Sequence, residues 1–139
     1  MIIQDIYLQR WDWSIKVFYA IDTYYIDHIL GELECIGCTE SDLKQAEKCL
    51  RGENTGLTYS NLRYKCSIVV IGITSSPAEF QNTFDHEKSH LAMHISEALD
   101  IDLFKEEYEY LIGEIGQAMF PVAKRFLCEH CRKDMEKVG

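Results

Sequence analysis

The chain has 139 residues, 47% hydrophobic and 27% charged, with 23 acidic side chains against 14 basic ones and a formal net charge of −9. That size and composition describe one globular domain able to bury a core without disulfide staples, so residues 1–139 are read as a single domain with a frayed tail over 127–139. The acidic balance excludes a phosphate-reading surface as the main role, because nucleic-acid binding needs a basic footprint, and the longest apolar run, SIVVIGIT, is far too short to span a membrane.

The first residues, MIIQDIYLQRW, lack a basic stretch followed by an apolar one, so no secretory signal is read and the expected location is cytoplasmic. The cysteines at positions 35, 38, 49, 66, 128 and 131 are accordingly expected to be reduced thiols. Cys35/Cys38 and Cys128/Cys131 have CxxC spacing, but a long stretch of chain separates the two pairs. They are read as small hydrophobes near helix ends in preference to a four-thiolate zinc site.

Residues 13–20, WSIKVFYA, alternate, with Trp13, Ile15, Val17 and Tyr19 on one side, which predicts a strand. Asp22 and Thr23 offer caps to an amphipathic helix over 23–34 carrying Tyr25, Ile26, Ile29, Leu30 and Leu33. Ile36-Gly37 breaks it. Thr39 or Ser41 opens a second helix, with Leu43, Ala46 and Leu50 on one face and an end near Gly52. RGENTG (51–56) reads as a loop, and TYSNLRYKCSIVVIGIT as a hairpin turning near Ser60-Asn61. Ser76-Pro77-Ala78-Glu79 joins an N-cap serine, a first-turn proline and a glutamate at the third helical position, opening a long helix that reaches about Leu99. Asp100-Ile101-Asp102 ends it, and a further helix runs from about Leu103 to Phe120, where Pro121 interrupts. The last segment, VAKRFLCEHCRKDMEK, reads as helical. Strand, helix, helix, hairpin and three helices make an α+β fold, with a small, mostly antiparallel sheet packed on helices.

Inside the long helix lies His86-Glu87-Lys88-Ser89-His90. Positions i and i+4 share a helix face, so the two imidazoles can reach one ion at about 2.0–2.1 Å each. Glu87 is rotated off that direction and is placed to hold a water as general base. The chemistry also calls for an edge strand that can pair with an extended substrate, a role in which SIVVIGIT is read. A catalytic zinc usually takes three protein ligands. Met93 and Ser96 stand where an HExxHxxGxxH pattern needs glycine and histidine, so the third ligand has to come from another nearby element; the next helix carries Glu106, Glu107 and Glu109. His94, one turn beyond His90, is read as a supporting or packing residue, and Asp85 as a surface acid.

The run from GLTYSN through the strand, TSSPAEFQNT, HEKSHLAMHI and EEYEYLIGEI resembles small gluzincin-type HExxH zinc metallopeptidase-like proteins of gut bacteria and their mobile elements, over roughly residues 5–127. The resemblance implies a minimal zincin-like fold with the motif on a central helix. It makes Glu106 the third ligand, with Glu107 as the alternative, and Tyr110 the residue four positions on that supports a histidine. Tyr110 departs from the acidic or amide side chain usual there. Tyr59, Tyr108 and Tyr110 are the tyrosine candidates for stabilising an oxyanion.

The expected function is zinc-dependent hydrolysis of a peptide or amide bond by metal-activated water, acting on a peptide or protein and on neither nucleic acid nor membrane. The alternative is a catalytically inactive zincin-like binding or regulatory module with a structural metal.

Overall fold

The computed structural model describes residues 1–22, 25–52, 56–128 and 130. The alternation in WSIKVFYA becomes strand β2 (Trp13–Ile21). Its odd-numbered side chains Trp13, Ile15, Val17 and Tyr19 enter one core, while Phe18 and Ile21 enter another. A strand sends successive side chains to opposite faces, so the sheet separates two apolar layers. It has four strands in the order β1-β2-β4-β3, with β1 at Ile2–Leu8, β3 at Gly56–Asn61 and β4 at Cys66–Gly72. β1 pairs antiparallel with β2, β3 antiparallel with β4, and β2 parallel with β4. The sheet is thus mostly antiparallel, as expected, and the fold is α+β.

One face is covered by α1 (Ile26–Cys35) and α2 (Glu40–Arg51), the other by α3 (Pro77–Leu99) and α4 (Glu106–Ala123). The Thr39 side chain caps α2, and that helix stops at Gly52. In α3 the Ser76 hydroxyl accepts the Glu79 N–H at 3.1 Å, Pro77 sits in the first turn, and Asp100 closes the helix in a left-handed conformation at φ 56°. This strong local start fixes where α3 begins, and so which residues meet the sheet. No helix among the described residues is long and apolar enough to cross a membrane.

Several expectations are corrected. SIVVIGIT does not supply an edge: β4 lies inside the sheet between β2 and β3, and the open strand beside α3 is β3. β4 is buried on both faces, which explains its continuous apolar run. The hairpin turns at Leu62–Lys65, past Ser60-Asn61, because the Asn61 amide donates to the Ile36 carbonyl (2.8 Å) and its oxygen accepts the Tyr64 N–H (3.1 Å). β1 was not anticipated. α4 starts at Glu106, because the Asp102 carboxylate caps the Phe104 N–H at 2.9 Å and keeps Leu103-Phe104 in a turn. Pro121 stands within the last turn of α4, where a missing N–H removes a single helical bond.

Phe126 is core, stacking on Tyr19 and Phe80. Cys38 is buried in the α1/α2 layer, whereas Cys128 is exposed and lies two residues after Phe126 of the opposite layer. Thr23, residues 53–55 of the expected loop, and half of the expected last helix, Cys131 included, lie outside the described residues.

Ile95, fully buried between α3, α4 and the sheet, is a direct probe of this packing. Ile95→Ala is expected to lower unfolding free energy by about 2–5 kcal/mol in urea titrations; a change below about 0.5 kcal/mol, the level usual for surface sites, would contradict the placement of α3.

Candidate metal centre

α3 turns a mixed face toward β3. At about 100° per residue, His86 lies about 100° from Glu87 on one side of the helix, with His90 about 60° away on that same side, and Lys88 lies about 100° away on the other. Glu87 is 5% exposed, beneath β3, whereas His86 and His90 are exposed beyond it. Lys88 faces α4: its Nζ lies 3.7 Å from where a Cβ on Gly116 would stand.

His86 Nε2 and His90 Nε2 are 3.1 Å apart, with ring centroids 4.6 Å apart and planes at 72°. As a bare pair the rings share an N–H···N hydrogen bond. The same spacing is close to the roughly 3.3 Å edge of a tetrahedron built from bonds of about 2.0–2.1 Å. Two imidazole nitrogens therefore already converge on one solvent-facing point.

Glu87 is held from above. Its Oε2 accepts the Thr58 hydroxyl at 2.6 Å, and its Oε1 lies 4.0 Å from His86 Nε2. A Cβ on Gly56 would come within 2.8 Å of Glu87 Cγ and 3.0 Å of its Cδ and Oε1. Glycine at 56 is what lets the strand backbone close on the carboxylate. A buried carboxylate calls for a cation or hydrogen-bond donors. Thr58 serves one oxygen, and the other is turned to the histidine pair. The two imidazoles suit zinc as a pair of ligands, and Glu87 stands beside them where a base for a bound water would stand.

The next turn of α3 carries His94. Its Nδ1 lies 2.8 Å from Ser60 Oγ, Ser60 Oγ lies 2.6 Å from Ser67 Oγ, and the Trp13 indole N–H donates to Ser67 Oγ at 2.8 Å. Burial, and after it the charge on His90, lowers the His94 pKa below the usual histidine value, while Glu97 pulls the other way. The rings of His90 and His94 are 6.4 Å apart.

On α4, Glu106 is turned to its own helix. Glu106 is exposed and its Oε1 accepts the Tyr110 hydroxyl at 3.0 Å, while the Arg10 guanidinium lies over the Tyr110 ring at 5.6 Å. That flank of α4 looks toward Arg10; the Gly116 flank looks toward α3. Glu107 is exposed as well. The structure brings together His86, His90 and Glu87 and does not bring Glu106, Glu107 or Tyr110 to them. Among the described residues no group of three or more His, Cys, Asp or Glu is arranged to hold a metal. Of the other tyrosines, Tyr59 packs on the α1/α2 side against the Cys38 thiol, and Tyr108 packs against the core between α4 and the sheet.

Sequence reasoning missed the strand's share of the site. In GLTYSN the residues Gly56, Thr58 and Ser60 are small or polar, and alternate with Leu57 and Tyr59 of the α1/α2 core. That period of two marks a polar strand face turned inward, and it was available as a signal. Comparison with protein-family models, curated proteins and solved structures finds no match to this chain.

The shift at His94 sets a sign for pH. The folded chain holds this proton more weakly than the unfolded chain, so below about pH 6.5 the unfolded state binds more protons and stability falls as pH falls. His94→Gln is expected to flatten the loss of stability between about pH 7 and about pH 5 in urea titrations; equal slopes in both proteins would contradict the assignment.

Proposed function

We propose that the chain is a zinc-dependent hydrolase cleaving a peptide or amide bond, with His86 and His90 as zinc ligands and Glu87 as general base. The reading is carried by the convergence of His86 and His90 Nε2 at 3.1 Å beside a carboxylate oxygen 4.0 Å from His86 Nε2. When bound, zinc would lower the pKa of a coordinated water toward about 7 and polarise the scissile carbonyl. Glu87, fixed at Oε2 by Thr58, keeps Oε1 to take the proton of the attacking water and pass it to the leaving amine. β3 pairs with β4 along one side and stands at the margin of the sheet, so its other side can accept an extended peptide by backbone hydrogen bonds. A peptide or protein substrate, met in the cytoplasm, fits this arrangement.

The resemblance supplies Glu106, or Glu107, as third ligand. The proposal stands on His86, His90 and Glu87, and the metal measurement decides whether either glutamate joins them. One observation favours the alternative of an inactive zincin-like module: among the described residues no third ligand accompanies the pair.

Wild-type protein prepared without chelator is expected to carry one zinc per chain by elemental analysis and to cleave members of a mixed peptide library. Glu87→Gln should keep the zinc and lose cleavage by at least about 100-fold, and His90→Ala should lose the zinc. Zinc retained in His90→Ala would contradict the ligand assignment, and undiminished cleavage by Glu87→Gln would remove the base. A loss of zinc affinity of about tenfold or more in Glu106→Ala or Glu107→Ala would assign that residue to the ion.

A further inference from the structure

We propose that His94 is a neutral hydrogen-bond donor of this site, its Nε2–H fixed by a relay from Trp13 through Ser67 and Ser60 and directed to the carbonyl oxygen of a bound peptide or amide. The substrate role rests on the hydrolase reading; the proton arrangement does not.

The relay has a polarity set by its buried end. The Trp13 indole is a donor only, fully buried, and its N–H goes to Ser67 Oγ. Ser67 is 3% exposed, and its own hydroxyl proton needs an acceptor. Among the described residues the acceptor within reach is Ser60 Oγ, at 2.6 Å. The Ser60 proton then has His94 Nδ1, at 2.8 Å, as its acceptor among the described residues, and we take it to donate there. Each bond then donates in the same direction, and head-to-tail order strengthens such a chain. A neutral imidazole whose Nδ1 accepts carries its proton on Nε2. The reverse order would leave the Ser67 proton without a partner in a buried place.

Nε2 is the one polar ring atom left over. It has no hydrogen-bond partner among the described residues, and it is not among the buried unpartnered atoms, so it reaches solvent. It belongs to a ring 6.4 Å from that of His90, one helical turn along the same face. A donor one helical turn from the proposed ligands, on the face they share, is placed to meet the oxygen on which charge develops during attack on a carbonyl. The tyrosines considered for that task lie elsewhere. The same polarity separates His94 from the metal ligands, because a histidine bound to zinc through Nε2 must carry its proton on Nδ1.

The test is long-range proton–nitrogen NMR of protein labelled with nitrogen-15 in histidine, above the pH at which His94 titrates, with and without Zn²⁺. The wild-type chain is expected to show His94 as the Nε2–H tautomer, and Ser60→Ala should release it to a mixture. Added Zn²⁺ should move the His86 and His90 signals and leave the His94 tautomer unchanged. An Nδ1–H tautomer in the wild-type chain, or a metal-bound signature on His94 with Zn²⁺, overturns the proposal. Silence of His86 and His90 toward Zn²⁺ would sink the hydrolase reading and with it the substrate role, while leaving the tautomer result to be read separately. On the peptides the wild type cleaves, His94→Leu should lose about 10²–10³-fold in kcat with zinc content unchanged. His94→Gln, which keeps a side-chain N–H, should recover part of that loss. Full activity in His94→Leu would overturn the donor role.

Discussion

Glu87 is pressed beneath an edge strand at a point where only glycine lets the backbone approach, and the rest of the site follows from that contact. Gly56 comes so close that a Cβ would overlap the carboxylate, and Thr58 donates to it. Once Glu87 points into the sheet, helical geometry leaves no freedom for its neighbours. His86 and His90 must emerge beyond β3, and Lys88 must face α4. A carboxylate buried this deeply costs stability unless charge or hydrogen bonds meet it. An apolar residue would pack the same place without that cost, which is why the proposed function is built around this acid.

β3 therefore serves three purposes. Its Leu57 and Tyr59 complete the core under α1 and α2, and its pairing with β4 holds it in the sheet. Its inward polar face supplies the contacts to Glu87 and His94 through Thr58 and Ser60. The sheet's mixed topology is what makes this possible. The parallel pairing of β2 with β4 puts β4 in the interior and leaves β3 at the margin next to α3. Trp13, at the start of β2, then reaches Ser67 on β4, which passes the serine relay on to Ser60 of β3.

Where information is local, the sequence is readable. The bounds of α3 follow from Ser76, Pro77 and Asp100, and the two faces of β2 from alternation alone. The pairing of His86 with His90 is fixed by spacing along a single helix. What could not be read is how elements are arranged against one another. Strand order placed β3 at the edge and β4 inside, and no local pattern states that order. β1 carries its own alternation, with Ile6 and Leu8 buried and Ile3, Asp5 and Tyr7 outward, so this strand was legible and was missed. The third ligand depended on how α4 packs. Its buried stripe of Leu111, Ile115 and Met119 turns Glu106 outward beside Tyr110. A resemblance in linear layout carries no information about that rotation.

X-ray absorption at the zinc edge of the wild-type protein tests the central claim most directly. The account predicts two imidazoles at about 2.0–2.1 Å completed by oxygen donors, with the imidazole scattering lost in His86→Ala and kept in Glu87→Gln. Sulfur scattering at about 2.3 Å, or a wild-type spectrum that survives His86→Ala unchanged, would contradict it.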